Sequence, residues 1–508
     1  MNYNLNLLNS QPQLSIPISN LLVTPYEIRQ LLEVKIQQKI NEHGMLYLKG
    51  ILSNAQEENY AELSTKGTNV ALSALDAYGE EYIVFQGVVK DVSIQVAQEI
   101  RYIEVHAISY SYLLDVEKKS RSFQNKKNSY TDLAKQVTAD YAAADVIDVV
   151  TNGVPTNKFI VQHMETDWEF LKRLASHFHT GLICDVRFDV PKYFFGIPEV
   201  PALELDNTDY SVKKDMQRFN RLSENGVTGL KEHDFICYEV ETKCLMRIAD
   251  AVMFRKKKLY VSEITSFAHK GLFISRLVLM PKKGLSQLHK KHNNIVGASF
   301  GGHILESKND QVKVTLDIDK GHDPGEPCFF PYSTIYSSQD GSGWYCMPET
   351  GDTVRIYCPD GEDDHAYAIS SVHEQVDEAE LHQRNSGANA SGGSGGGGMR
   401  GSGGAGDYSG QRDDPSVKSL TYGDKEIRLT PEGVYIIMDS AMITLTDEGI
   451  TMMCENDIAF KSDKNIMLCA EEDVNIVGDS GVEIMCGDTA GILIEENVQV
   501  VGQEVHAN

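Results

Sequence analysis

Four short runs in this chain of 508 residues carry side chains able to do chemistry. His177-Phe178-His179 sets two imidazoles two residues apart, a spacing that on a strand would let them share a metal ion. At the end of a helix the same pair is more simply a polar C-terminus suited to cationic groups. Asp317-Ile318-Asp319-Lys320-Gly321 has the alternating carboxylates of a calcium loop. It lacks the third oxygen ligand and the bidentate glutamate such a loop needs, and reads as a strand-end turn. Asp360-Gly361-Glu362-Asp363-Asp364-His365 offers the paired carboxylates of a hydrolase, but no nucleophile can be placed beside them, so it reads as a solvated hairpin tip. Arg255-Lys256-Lys257-Lys258 is the dense basic run, first a solvated loop and second a seam for an acidic partner. No catalytic residue, metal site or cofactor is assigned.

The elements that would position such groups are read from composition and period. Nine cysteines, odd in number and without a C-x-x-C pair, fit reduced thiols in a cytosolic product and argue against a disulfide scaffold or a zinc ribbon. No apolar run approaches a membrane span, and Met1–Pro17 lacks the basic start and apolar block of a signal peptide. The expectation is a protein made in the cytoplasm and exported, if at all, by another route. Net charge is −26, and residues 433–508, with fifteen Asp/Glu against two Lys, supply −13 of it. That surface repels nucleic acid and anionic membranes, and keeps a stacked sheet soluble.

From Val434 the chain repeats every eight residues. One column reads Val434, Met442, Ile450, Ile458, Ile466, Val474, Val482, Ala490, Val498. A second, two residues on, reads Ile436, Thr444, Met452, Phe460, Leu468, Ile476, Ile484, Ile492, Val500. Only Thr444 is not apolar. Residues i and i+2 share one face of a strand, and small or turn-forming residues such as Gly433, Gly449, Asp457 and Gly481 precede the first column. Each octad is thus a short strand with two inward side chains and a corner. Nine octads in one chain make a marginal solenoid; three intertwined chains would stack nine strands per face into a shaft of about 43 Å. The expectation is an obligate trimer whose needle core holds both columns.

Ahead of the octads the pattern is also β. Leu32, Val34 and Ile36 alternate, Asn41-Glu42-His43-Gly44 makes a turn with Gly at its tight position, and Leu46 and Leu48 resume. Further runs at Tyr82–Val89 and Tyr102–Leu114 suit a small barrel. Tyr130–Ala144 reads as a helix. Thr166-Asp167-Trp168-Glu169 is a capping box opening a second, with Trp168, Leu171, Leu174, Ala175 and Phe178 on its core face. Residues 180–295 return to strands. Five or six short strands in 296–375 suit a small closed barrel such as an OB-fold. Gly387–Gly410 has twelve glycines in twenty-four residues, a flexible linker.

This order of parts resembles the VgrG-type spike proteins of type VI secretion, equivalent to the baseplate hub and tail-spike of contractile phages. The resemblance is carried by Phe85-Gln86-Gly87, by Ser120-Arg121-Ser122-Phe123-Gln124, by the run from Gln162 through Glu165-Thr166-Asp167-Trp168-Glu169-Phe170-Leu171 to Leu174, and by Gly343-Trp344-Tyr345-Cys346-Met347-Pro348-Glu349-Thr350-Gly351-Asp352. With the octads it spans residue 30 to the end. It implies a mainly β fold: a hub of two β-barrel domains with short helices (1–295), an OB-fold collar (296–375), a Gly-rich linker (376–414) and a triple-stranded intertwined β-helix needle (415–508). It further implies a homotrimer that joins the inner tube and baseplate to a needle piercing the target-cell envelope, delivered outside the cell or into a target, with effectors as possible cargo. The expected tip partner is a cone-shaped PAAR-type protein on Val498, Val500, Val505 and His506. The position where phage relatives often carry a lysozyme holds only the linker. That counts against a spike-borne cell-wall hydrolase, and the long hub counts against a passive trimeric fibre or adhesin.

Overall fold

The computed structural model describes residues 16–53, 68–76, 79–205, 209–335, 337, 343–370, 416–486 and 490–494. The Gly-rich segment and the tip residues Val498, Val500, Val505 and His506 lie outside them, and Ile492 is described only by its backbone. The chain divides into two units, residues 1–423 with 429–431, and residues 424–428 with 432–508.

In the first unit β1 (Leu21–Thr24), β2 (Ile28–Lys39), β3 (Met45–Leu52), β4 (Asn69–Leu75), β5 (Glu81–Ala97) and β6 (Ile100–Ser109) come first. The β2–β3 hairpin pairs Val34 with Leu48 and Ile36 with Leu46, and all four are buried. Leu32 departs from the alternation: a register shift between Leu31 and Glu33 turns it outward. In the turn, Asn41 adopts the positive φ (69°), while Gly44 is needed for a different reason. A Cβ there would lie 2.4 Å from Val186 Cγ1.

Next come β7 (Lys118–Phe123), α1 (Tyr130–Thr138), β8 (Ile160–Thr166) and α2 (Asp167–Ser176). Helix α1 stops before the expected Ala144. Helix α2 starts at the expected box, with Thr166 Oγ1 accepting from Glu169 N and Glu169 Oε2 from Thr166 N. It buries Trp168, Phe170, Leu171, Leu174 and Ala175 in the core of the first strand group.

A second strand group follows: β9 (Tyr210–Lys214), β10 (Ile236–Thr242), β11 (Ala251–Phe254), β12 (Lys257–His269) and β13 (Leu272–Met280). The two groups share one sheet, in the order β9-β10-β13-β12-β2-β3-β6-β5-β4-β1. They join because β2 pairs β3 along one edge and β12 along the other, Ile36 facing Ser266. The first unit also holds a smaller antiparallel sheet of β14 (Ser299–Lys308), β15 (Gln311–Leu316), β16 (Phe329–Pro331), β17 (Thr353–Tyr357) and β18 (Tyr367–Ile369). Its order is β16-β15-β14-β17-β18, and a bridge from Tyr332 to Ala368 links its two edges. Val312, Val314 and Val354 lie in its core, as their alternation requires.

The second unit contains the antiparallel meander β19 (Gly433–Met438), β20 (Ala441–Thr446) and β21 (Gly449–Cys454). Among the described residues no ladder forms from 455 to 481, and a hairpin of Val482–Cys486 with Ala490–Ile494 follows.

Candidate functional site

Two places in the molecule concentrate residues that simple core packing does not explain: a buried ionic junction, and an apolar face left in water.

The junction lies where β7, β8 and α2 meet the smaller sheet. A bulge between His163 and Glu165, with Met164 at φ 52° and exposed, turns Glu165 inward. Arg173, one turn from the end of α2, is almost wholly buried. Its Nη1 donates to Asp363 Oδ2 at 2.8 Å, and its Nη2 to the Val161 carbonyl at 2.6 Å and Glu165 Oε2 at 3.0 Å. His292, also buried, places Nε2 at 3.1 Å from the His163 carbonyl and 3.4 Å from Glu165 Oε2. Burial alone would raise the Asp363 carboxyl, but Arg173 and His292 override it and hold it at about 2. The expectation of a solvated tip at 360–365 is therefore wrong for Asp363. Its neighbours Asp360 and His365 do pair at the surface, 2.8 Å apart.

A second latch lies alongside. Ser122 donates from its backbone N at 2.6 Å and from Oγ at 2.7 Å to the Asp319 carboxylate, and His322 Nε2 donates to the Ser122 carbonyl at 3.1 Å. Gln124 N donates to the Pro324 carbonyl at 2.8 Å. The turn expected at Asp317–Gly321 is present as a short 3-10 segment, and its Asp319 oxygens accept from Ser122 of β7. Behind both latches Asp167, fully buried, accepts from Arg121 at 2.8 Å, Lys119 at 2.7 Å, Gln162 at 2.9 Å and the Tyr141 hydroxyl at 2.6 Å. Apolar contacts complete the seam, with Phe159 against Phe330 and His163 against Phe300. Four of the runs singled out in the sequence, Ser120–Gln124, Gln162–Leu174, Asp317–Gly321 and Asp360–His365, thus meet here. Nothing local to Asp319 or Asp363 announces that their partners are Ser122 and Arg173, nearly two hundred residues away.

The remaining candidates disperse. His177 Nδ1 is 3.0 Å from the Tyr130 hydroxyl and its ring stacks on His289, while His179 Nδ1 faces the Gln287 carbonyl. The two imidazoles therefore serve different partners. Burial pushes His177 down to about 3. Among the described residues no group of His, Cys, Asp and Glu is arranged to hold a metal ion.

The apolar face belongs to the second unit. Cross-strand partners share a face, and Val434 pairs with Leu445, which pairs with Ile450; Ile436 pairs with Ile443, which pairs with Met452. One face of the meander is therefore Val434, Ile436, Met438, Ala441, Ile443, Leu445, Ile450, Met452 and Cys454, all apolar. Met442 and Thr444, members of the octad columns, lie on the opposite face, paired with Ile437 and Tyr435. The reason is parity: an eight-residue step keeps one face only if successive strands turn a corner in the same sense, and a hairpin with two loop residues inverts it. Thr444, the polar exception in its column, is thereby explained. Beyond residue 454 the column members Ile458, Phe460, Ile466, Leu468, Val474, Ile476 and Ile484 are all exposed, Phe460 at 68% and Leu468 at 71%. Val482 is partly buried.

Comparison with known proteins places this architecture. Residues 52–182 match the phage tail baseplate hub (GPD) family. An E. coli component of the type VI secretion system, described as structurally similar to the T4 bacteriophage tail proteins gp27 and gp5, has the same fold, with TM-score 0.51 at 13% identity over 70% of this chain and 99% of that one. A 43 kDa prophage tail protein from Shewanella oneidensis aligns with TM-score 0.41 at 13% identity, over 55% of this chain and 99% of its own. A chain of the Francisella PdpA–VgrG complex aligns with TM-score 0.44 at 8% identity, over 83% of each. No curated protein sequence matches. Residues 52–182 are thus similar to a phage tail baseplate hub, and the chain shares its fold with the type VI secretion component.

Proposed function

We propose that this chain is a VgrG-type spike protein of a contractile injection system, that three copies form the hub and needle joining the machine's inner tube to a membrane-piercing tip, and that the protein acts mechanically and has no catalytic role. In this reading residues 1–295 are the hub, 296–375 the OB-fold collar, 376–414 a tether and 415–508 the intertwined needle. The junction of Arg173, Glu165, Asp363 and Asp319 makes hub and collar one stiff body that transmits thrust. A PAAR-type protein caps the end formed by Val498, Val500, Val505 and His506, and effectors ride on the needle. The export route needs no cleaved leader, because the particle itself carries the protein out.

The observation that carries the reading is the exposure of the apolar needle columns. Among the described residues the octads from 455 to 481 form no ladder and Ile466 is more than half in water, which is not a stable end state for so apolar a run. Two further chains would supply both the missing strand partners and the cover, with Ile458, Phe460, Ile466, Leu468, Val474 and Ile476 around a common axis. Ile466→Asp would bury three carboxylates at that axis, at several kcal/mol each. The variant should run as a monomer on a detergent gel on which the wild type resists dissociation. Equal detergent resistance of the two would overturn the proposal.

A further inference from the structure

Between β13 and β14 the chain passes the C-terminal end of α2, and residues 287–290 are tied to it as a strap. Gln287 N donates to the His179 carbonyl at 2.9 Å, and Lys290 N donates to Ser176 Oγ at 2.9 Å. Between these two anchors the His289 ring stacks on His177, with centroids 4.9 Å apart and planes at 23°. Tyr130 closes another side of His177, its ring edge-on at 5.6 Å and its hydroxyl 3.0 Å from Nδ1. All of these contacts are made within one chain, so they persist whether or not further copies cover the outer surface.

Two imidazoles stacked this closely are stable together only while uncharged. Burial, the cations Lys158 and Arg173 and the His289 ring oppose a charge on His177, Asp363 favours one, and the balance holds the ring down at about 3. His289 is also held below the ordinary imidazole value, first by burial and then by Lys158 and His179, with Glu362 acting the other way. Glu362 lies 3.7 Å from His289 Nε2 but is shared with Lys291 Nζ at 3.2 Å. The sign follows. Both rings are neutral in the closed strap and take up protons near pH 6.5 once released, so the closed form is favoured above that pH and progressively disfavoured below it.

We propose that residues 287–290 are an acid-released strap: protonation of His177 and His289 lifts them off the end of α2 while the ionic junction beside them stays closed. The chain just downstream behaves differently. His292 lies with Nε2 3.4 Å from Glu165 Oε2 and Nδ1 3.7 Å from Asp363 Oδ1, and Asp363 stays ionised down to about pH 2. That anchor, and the pair of Arg173 with Asp363, therefore holds through the range in which the two rings charge. Acid frees the link between β13 and β14 without detaching the smaller sheet. The strap goes beyond the spike assignment and does not rest on it, since a single chain carries every group involved.

Hydrogen exchange of the intact protein at pH 8 and pH 5, read as protection factors so that the intrinsic rate cancels, tests the strap. The amides of Gln287 and Lys290 should lose protection by about thirtyfold or more, the ratio set by one imidazole of ordinary value near 6.5 that the closed form keeps neutral. The β7–β8 and β2–β3 ladders should change by less than about threefold, because the opening is local. In H177Q/H289Q, whose side chains stay neutral at both pH values, the loss at the strap should shrink to that of the ladders. If the double variant does not fold, H289Q alone should still reduce the loss. No loss at the strap in the wild type, loss at strap and ladders together, or the same loss in H289Q as in the wild type would each overturn the proposal.

Discussion

The ionic junction of the first unit and the octad repeat of the second solve opposite problems with the same chain. At the junction nearly every buried charge finds its partner within the chain: Arg173 meets Glu165 and Asp363, Arg121 and Lys119 meet Asp167, and Asp319 meets Ser122. In the octad repeat the column residues Ile458 to Ile476 are exposed, and the backbone from 455 to 481 forms no ladder among the described residues. A network satisfied inside one chain makes a part that is finished when it folds. A repeat with exposed columns makes, in the proposed reading, a part that is finished only on assembly. The strengths of the two parts should therefore respond to different perturbations, the first to charge and pH, the second to oligomer formation.

The largest separation of the two should come from needle substitutions chosen by register. Ladder pairing puts Ile443 on the apolar face and Met442 on the other. Ile443→Asp should cost several kcal/mol per chain and disperse the oligomer, and Met442→Asp should cost much less. Size-exclusion chromatography reads both. Equal dispersal would mean that the octad columns, not the antiparallel ladder, describe this stretch.

Next in size is Arg173→Met, which leaves Glu165 and Asp363 buried without their cation. The melting transition of the hub should lose roughly 3–5 kcal/mol while the oligomer persists. Loss of the oligomer instead would tie the two parts together.

The pH response is smaller and has a definite sign. Asp363 is held at about 2, below its unfolded value, so its contribution is present above roughly pH 4 and is lost as pH falls through about 2. His177 is also held down, at about 3, so the folded state keeps it neutral. Its unfolded form takes up a proton below roughly pH 6.5, and stability is lost progressively from there downward. Hub melting temperature should therefore fall on acidification from neutrality, and fall less steeply in His177→Gln. An unchanged slope in that variant would remove His177 from the account. The smallest effect is expected from deleting Gly392–Gly406, since loop length enters closure entropy only logarithmically. Both transitions should stay within about 1 kcal/mol of the wild type; a large drop would show that the segment packs.

Features written in short windows of sequence were legible. The Thr166 capping box and the Val34/Ile36 alternation each depend on neighbours within a few residues, and the fold honours them. The junction was not legible. Arg173 and Asp363 are 190 residues apart, and Ser122 and Asp319 are 197. No local period distinguishes a carboxylate that will be buried by a distant arginine from one left in solvent. Leu32 and Met442 failed for a related reason: one bulge or one hairpin inverts the face that simple counting assigns.

The central claim is that the needle is completed by two further copies of the chain. Sedimentation equilibrium of the intact protein across a range of concentrations tests it most directly. The account predicts a single species of three times the 56.5 kDa chain mass, holding down to the lowest concentration measured. A stable, monodisperse monomer would contradict it.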